Sequence, residues 1–275
     1  MKRSRFAGPY ALWMVLFTIC PMIFVVIYAF RGAEGGATLA NIARCFEETN
    51  LRVLWRSVRL ALECTAICLV VGYPAAYFLA SRDFSKYKTL FVLILLPMWM
   101  NFLLRTYATM SLLEKRGIIN SILQSLGLID KPLKLIGTEG AVLYGMVYNY
   151  LPFMILPIHT ALKKMDTRVI EAAEDLGANP ARVFTRVTLP LSVPGIVSGI
   201  TMVFMPAVTT FAISSLLGSG KFMLLGDMIE QQFMVANEWG FGSALSLFMM
   251  TLIVLSMSLL NLIDRTPAKE GSAKW

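Results

Sequence analysis

Few residues in this chain have the types and spacing that covalent or metal chemistry needs. Cys64 and Cys68 stand one helical turn apart and could ligate as a pair. With Cys20 and Cys45 they make no framework, however, and lying in apolar sequence they read as buried packing. The single histidine, His159, sits near the end of an apolar stretch and reads as hydrogen-bonded packing. The run LLGSGKF, Leu216 to Phe222, looks briefly like a phosphate loop. It fails, because Ser215 falls where the first glycine belongs, Phe222 stands where a Ser or Thr should hold magnesium, and no strand precedes it. No nucleophile is paired with a base. The sequence thus predicts no catalytic residue, no metal ligand set and no cofactor in this chain.

The remaining chemistry is a charged interruption, EAAEDLGANPARVFTRVTLP, from Glu171 to Pro190. Entered near Asp166 or Thr167, its first half sets Val169, Ile170, Ala173 and Leu176 on one helical side and Glu171, Glu174 and Asp175 on the others. Gly177 ends that helix, since glycine suits the left-handed closing position, and Asn179 with Pro180 starts another. Ala181 to Thr188 predicts a second short helix with Arg182 and Arg186 a turn apart, after which Pro190 marks the return to apolar sequence. Helix, glycine corner and second helix suit docking on a soluble partner. Glu171 is the leading ionic contact, and the small Ala172 and Ala173 permit close approach.

Such a corner must be held by its flanks, and these are apolar. The chain is 57% hydrophobic and 15% charged, with a mean hydropathy of +0.66. A span needs roughly 20 residues to cross about 30 Å of hydrocarbon. About six stretches qualify on that length: Tyr10 to Phe30, Leu60 to Ala80, Thr89 to Leu104, Gly140 to Leu162, Leu191 to Leu217 and Ala244 to Ile263. All should be helical, because backbone groups in lipid must pair internally. The expected fold is therefore all-α, a polytopic membrane helical bundle forming one transmembrane domain over 1–275, with the corner, 163–190, inside it. The first apolar run is too long for a signal core and lacks a small-residue cleavage site, so it reads as an anchor that stays.

The formal net charge of +8 could suggest nucleic acid, but Lys and Arg sit in the connections and not on one amphipathic face. They fit membrane topology instead. Lys2, Arg3 and Arg5 place the N-terminus in the cytoplasm, and an even number of spans leaves Arg82, Lys86, Lys88, the Glu171 corner and the Arg265 to Lys274 tail there too. Outside lie a loop with Gly35, Gly36, Glu47 and Glu48, where Asn41 to Leu54 could form a short surface helix, and the segment Ser111 to Glu139, with a helix ended at Gly127 and Pro132. Arg59 and Glu63 make a self-neutralising helical pair near the interface. Pro97 frees a carbonyl that only protein or water can satisfy, and Pro194 and Pro206 make the fifth span bendable.

The corner has the spacing of the EAA loop of bacterial ABC importer permeases: E-A-A, three residues, G, nine residues, I-x-L-P. Glu171, Ala172, Ala173, Gly177, Leu189 and Pro190 match, and Val187 replaces the isoleucine. LVVGYPAAYFLA, LPMWMNFLLRTYA, YLPFMILP, IEAAEDLGA and the segment GDMIEQQF to EWGFGSA further resemble the spermidine/putrescine (PotB-type) permease family. The resemblance implies a type I importer permease in a bacterial inner membrane, coupling to an ATPase through this loop, with Asp175 and Arg182 alongside the matched residues. It also implies the partners: a second, different permease subunit (PotC-type), two copies of an ATPase (PotA-type) that carry the ATP and magnesium, and an extracytoplasmic polyamine-binding protein (PotD-type). A related importer of another small solute remains open, as does an autonomous secondary transporter, although the latter usually needs intramembrane ionisable residues that these spans almost lack.

A flexible polycation calls for carboxylates near an entrance and aromatic faces deeper in, where a buried acid would be costly. On a straight third span Trp99 and Tyr107 differ by about 80°, and Asn101 and Arg105 lie on roughly the opposite side from Trp99. Trp99 and Tyr107 are therefore expected on the path, about 9 Å separating Trp99 from Arg105 in depth. Asn101 and Arg105 should lie against protein, and Asp227 and Glu230 are the candidate entrance acids.

Overall fold

The computed structural model of the chain describes residues 10, 12–32, 36–81 and 88–264. The basic residues Lys2, Arg3 and Arg5, Gly35, Arg82 and Lys86, and the tail from Arg265 to Lys274 lie outside that set. Among the described residues, α1 (Leu12–Ala29) leads through a loop to α2 (Ala40–Cys45) and then α3 (Glu48–Ala80). After α4 (Lys88–Trp99), α5 (Phe102–Leu113) and α6 (Ile118–Ser125) come α7 (Glu139–Lys164) and α8 (Thr167–Asp175). The chain ends with α9 (Pro180–Thr209), α10 (Ala212–Leu217), α11 (Leu225–Met234) and α12 (Trp239–Asp264). Five of these helices are long and apolar enough to cross a membrane, and the bent pair around Met100 brings the number to six when taken as one span.

Helix α7 is the axis of the bundle, packed between α3 and α9. Leu60, Cys64 and Cys68 of α3, Met146, Met154 and Ile158 of α7, and Val203 and Val208 of α9 form one buried cluster. Both paired cysteines are thus core residues, and the Cys68 thiol points to the carbonyl of Val147 at 3.9 Å. A second cluster, with Ala29, Cys45, Leu225, Met228, Phe241 and Leu245, joins α1 and α2 to α11 and α12. A serine links the two sets: Leu225 N donates to Ser57 Oγ at 2.8 Å.

Three boundaries differ from the sequence expectation. α3 starts at Glu48, twelve residues before the expected Leu60. The polar turns stay helical because no Gly or Pro interrupts them and Arg52–Glu48 and Arg59–Glu63 pair at helical spacing. At 33 residues α3 is about 50 Å long, so its first turns project beyond the hydrocarbon. The third span is broken: α4 stops at Trp99, Met100 N closes a turn onto Pro97 O at 3.1 Å, and the chain bends by 103°. Asn101 makes the break, its Oδ1 accepting from Leu103 N at 2.8 Å and Leu104 N at 3.4 Å to cap α5. The fifth span ends at Thr209 and not at Leu217, since Thr210 is extended and α10 is a separate helix.

Candidate functional site

The corner is built from caps. Asp166 Oδ1 accepts from Arg168 N at 3.0 Å and starts α8. At its end Gly177 N bonds Glu174 O at 2.8 Å and Ala178 N bonds Ala173 O at 3.1 Å, a closing pattern that needs the left-handed φ of +80° found at Gly177. Nothing lies within 4 Å of where a Cβ would stand there, so backbone conformation and not space demands glycine. Asn179 Oδ1 then accepts from Arg182 N at 2.9 Å, with Pro180 in the first helical position.

Beyond Pro180 the structure corrects the expectation of a separate second helix. The chain runs on as α9 for 30 residues, through a π-turn at Phe184–Thr188, directly into the span. Pro190 does not stop it. In the π-turn Leu189 N reaches back to Phe184 O, which relaxes the ladder just before a residue with no N–H to give. Pro21 in α1 is preceded by the same device, Cys20 N reaching Val15 O. Leu189 and Pro190 therefore lie on α9 about 14 Å beyond Pro180 at 1.5 Å per residue, away from the corner tip.

Glu171, Ala172, Asp175, Gly177 and Arg182 are exposed and Ala173 is half-buried. Leu176, set in sequence on the same side as Val169, Ile170 and Ala173, is 89% exposed at the position that closes α8. The corner thus presents an apolar knob ringed by carboxylates. Behind it, a cavity of about 330 Å³ is walled by Tyr77 of α3, Met165, Ile170, Glu171 and Glu174, and Val183 of α9.

Residues that sequence reasoning missed brace the corner on the bundle. Phe184 stacks edge-on with Tyr73 at 5.9 Å and Tyr77 at 5.6 Å, and the Tyr73 and Ser192 hydroxyls share a hydrogen bond at 3.0 Å. The signal was the one-turn spacing of Tyr73 and Tyr77. Gly195 and Gly199 let α9 lie directly on α7: a Cβ at Gly195 would stand 2.6 Å from Ala161 Cβ and 2.9 Å from Pro157 O, and one at Gly199 2.7 Å from Met154 Sδ. This small-residue pair at four-residue spacing was visible in sequence. These contacts hold the start of α9 against α3 and α7.

At the other end of α7, about 39 Å away at 1.5 Å per residue over 26 residues, Glu139 pairs with Arg56 and Arg59 of α3. Arg44 bonds Glu238 at 2.9 Å and lies over the Phe241 ring, tying α2 to α12. Asp227 also proves structural: its carboxylate accepts from Leu224 N at 2.8 Å and Ser214 Oγ at 2.9 Å, capping α11 and joining it to α10. Burial raises its pKa to about 6, and the charge of Glu230 adds to the rise. Asp227 and Glu230 do share one groove of about 290 Å³, which also contains Phe222 and Met223.

Trp99 and Tyr107 are not among the residues lining that groove. Trp99 is 86% exposed at the helix break, and Tyr107 is exposed on α5. Because the break separates them, neither the common-face argument nor the depth of Trp99 counted along one straight helix holds. Arg105 does lie against protein, 5% exposed, as expected, with Nε and Nη1 making no hydrogen bond among the described residues. Asn101, expected against protein with it, is instead exposed and serves as the cap.

The family described as binding-protein-dependent transport system inner membrane component matches residues 69–269. The chain is similar to the spermidine/putrescine transport system permease protein PotB of Haemophilus influenzae, 38% identical over 250 residues, covering 88% of this chain and 87% of that one. It is also similar to the protein of the same description from Escherichia coli K12, 37% identical over 254 residues, covering 90% and 92%. In fold it is similar to the crystal structure of a bacterial ABC transporter involved in the import of the acidic polysaccharide alginate, with a TM-score of 0.78 and 17% identity, over 97% of this chain and 96% of that one. The alginate transporter in complex with alginate pentasaccharide-bound periplasmic protein gives a TM-score of 0.77 at 17% identity, over 95% and 93%.

Proposed function

The chain belongs to the family of binding-protein-dependent transport system inner membrane components, and from that premise we propose that it is the permease subunit of an ATP-driven ABC importer of polyamines, of the spermidine/putrescine class. The relatives at 37% and 38% identity, both described as spermidine/putrescine permeases, support the substrate class. The observation that carries the coupling role is the corner itself, a capped helix and αL glycine that expose Leu176 among Glu171, Glu174 and Asp175. Solvated acids alone would not need an apolar knob at the tip. Leu176 inserts into an apolar groove on the ATPase, and Glu171, Asp175 and Arg182 fix its register, with Ala172 and Ala173 against the partner surface. Leu189 and Pro190 act one step later, at the entry of α9 into the membrane.

ATP and magnesium belong to the ATPase dimer (PotA-type). A second permease subunit (PotC-type) completes the path, and an extracytoplasmic binding protein (PotD-type) delivers the substrate. Both termini and the corner are cytoplasmic, and Glu139, Asp227 and Glu238 are outside. In this orientation the groove with Asp227 and Glu230 opens at the entrance, and the exposed rings of Trp99 and Tyr107 line the path on either side of the helix break.

Measurements at three levels test this reading: the gene, the corner and the path. In cells lacking the gene, uptake of labelled spermidine and putrescine should fall, and the expressed chain should co-purify an ATPase; unchanged uptake, or a chain that recovers no ATPase, overturns it. Glu171→Ala with Gly177→Val should lose ATPase binding and stimulated hydrolysis, whereas wild-type levels of both would remove the coupling role. For the path, Trp99→Ala should abolish uptake in an assembled complex and Trp99→Phe should restore part of it. Unchanged uptake in both would free Trp99 of that assignment.

A further inference from the structure

Two loops meet at the end of the bundle away from the corner, one between α6 and α7 and one between α10 and α11, and each is held by its own backbone. In the first, buried Asn120 fixes Leu133 from both sides, Nδ2 donating to Leu133 O at 3.0 Å and Oδ1 accepting from Leu133 N at 2.9 Å. In the second, Lys221 N closes a turn onto Gly218 O at 3.0 Å, and both Gly220 and Ser219 are left-handed, with φ of 67° and 50°. A serine held in that region is strained, and strain of this kind collects where a loop must present a particular residue. Gly137 N donates to Leu217 O at 2.8 Å and ties the two loops together.

The residue each loop presents is a lysine. Lys134 follows the pinned Leu133, and Lys221 ends the strained turn, both exposed. The Lys221 stem lies over Gly137, where an added Cβ would stand 3.7 Å from Lys221 Cδ. Its ammonium comes close enough to Lys134 to lower the Lys134 pKa from the ordinary lysine value, by hydrogen bonding and by charge. No ion pair among the described residues includes either lysine, and Asp130, exposed four residues before Lys134, makes none with it. The first acids beyond the two lysines are engaged elsewhere, Glu139 with Arg56 and Arg59, and Asp227 with Leu224 N and Ser214 Oγ. Two like charges thus face one another with no carboxylate of this chain between them.

The pair stands at the lip of the groove of Asp227 and Glu230, which Gly220 and Phe222, on either side of Lys221, help to wall. A polycation passing this lip is repelled by the lysines, so they serve a partner and not the substrate. A protein that carries a polycation holds it with carboxylates, and those at the rim of its cleft face the permease during delivery. We propose that Lys134 and Lys221 form a docking site for an acidic patch at the cleft rim of the extracytoplasmic binding protein, and that this contact seats the cleft over the groove of Asp227 and Glu230. The partner and the outward orientation both rest on the polyamine reading above. Exposed rim charges act on the encounter, so the lysines speed association and make it fall with salt.

The test uses the assembled complex in neutral detergent, with the purified PotD-type binding protein loaded with spermidine as the probe. Association is read by surface plasmon resonance at low and high salt, on variants that elute as assembled complex in size-exclusion chromatography. Lys134→Gln/Lys221→Gln should slow association several-fold and flatten its salt dependence, and Lys134→Glu/Lys221→Glu should slow it further. Lys134→Arg/Lys221→Arg should keep the wild-type rate and salt dependence; loss there too would mark a packing role and overturn the site. Wild-type association in the Gln and Glu variants overturns the site while docking to the wild type upholds the permease reading, and no docking to the wild type sinks both. A defect seen only in vesicles containing phosphatidylglycerol, and not in neutral detergent, assigns the pair to lipid headgroups and overturns it as well.

Discussion

Asp227 shows how one carboxylate can be both structural and exposed to a groove. Burial lifts its pKa from an ordinary 3.8 to about 6, above the value it has in an unfolded chain. The native state therefore binds the proton more tightly than the unfolded one, and linkage makes stability fall as pH rises between those two values. Above pH 6 the loss is complete. Asp227→Asn, which keeps one oxygen for Leu224 N and turns an amide N–H toward Ser214 Oγ, free to accept while it donates to Phe211 O, should raise the thermal midpoint of the purified complex at neutral pH and flatten its pH dependence in that window. A midpoint unchanged at neutral pH would show that the ionised form is not penalised. Capping chemistry of this kind is partly legible in sequence, since an acid three residues into a helix is a known pattern. That the capping residue would also be the wall of a groove was not, because the groove is completed by Phe222 and Gly220 from the preceding loop.

At the scale of elements, α7 and α9 act as one body because two glycines remove the side chains that would separate them. Gly195→Val should force the helices apart against Ala161 and the Pro157 carbonyl. Overpacking of this kind costs about 1–3 kcal/mol, so the yield of assembled complex in size-exclusion chromatography should fall several-fold. Gly177→Ala is the contrast. It strains only the corner, at a φ of +80° in open space, and should leave assembly intact while lowering stimulated ATP hydrolysis. If Gly195→Val assembles like wild type, the contact between the two helices is not what holds the corner to the bundle. The π-turns before Pro21 and Pro190 belong to this scale too: each proline was legible, but whether it ends a helix or is absorbed depends on the turn before it.

Across the whole molecule the charges divide along α7, an ionic cluster of Arg56, Arg59 and Glu139 at its start and the corner beyond its end. Cysteines placed at Glu47, Asp130 and Glu238, with Cys20, Cys45, Cys64 and Cys68 replaced by alanine, should react with an impermeant thiol reagent from outside intact cells. Labelling only after lysis would invert the proposed orientation. Sequence alone determined the helical class, the approximate places of the apolar stretches and the capped glycine corner, because each depends on local periodicity, on backbone groups that must pair within lipid, or on a single residue's permitted φ. Tertiary structure alone decided the break at Asn101, the exposure of Leu176, and the bracing of Phe184 by Tyr73 and Tyr77. The physical reason is that a span apolar on every side carries no amphipathic signal to say which side is covered. Which neighbour covers it depends on residues a hundred or more positions away, as Tyr73 and Ser192 show at 119 positions apart.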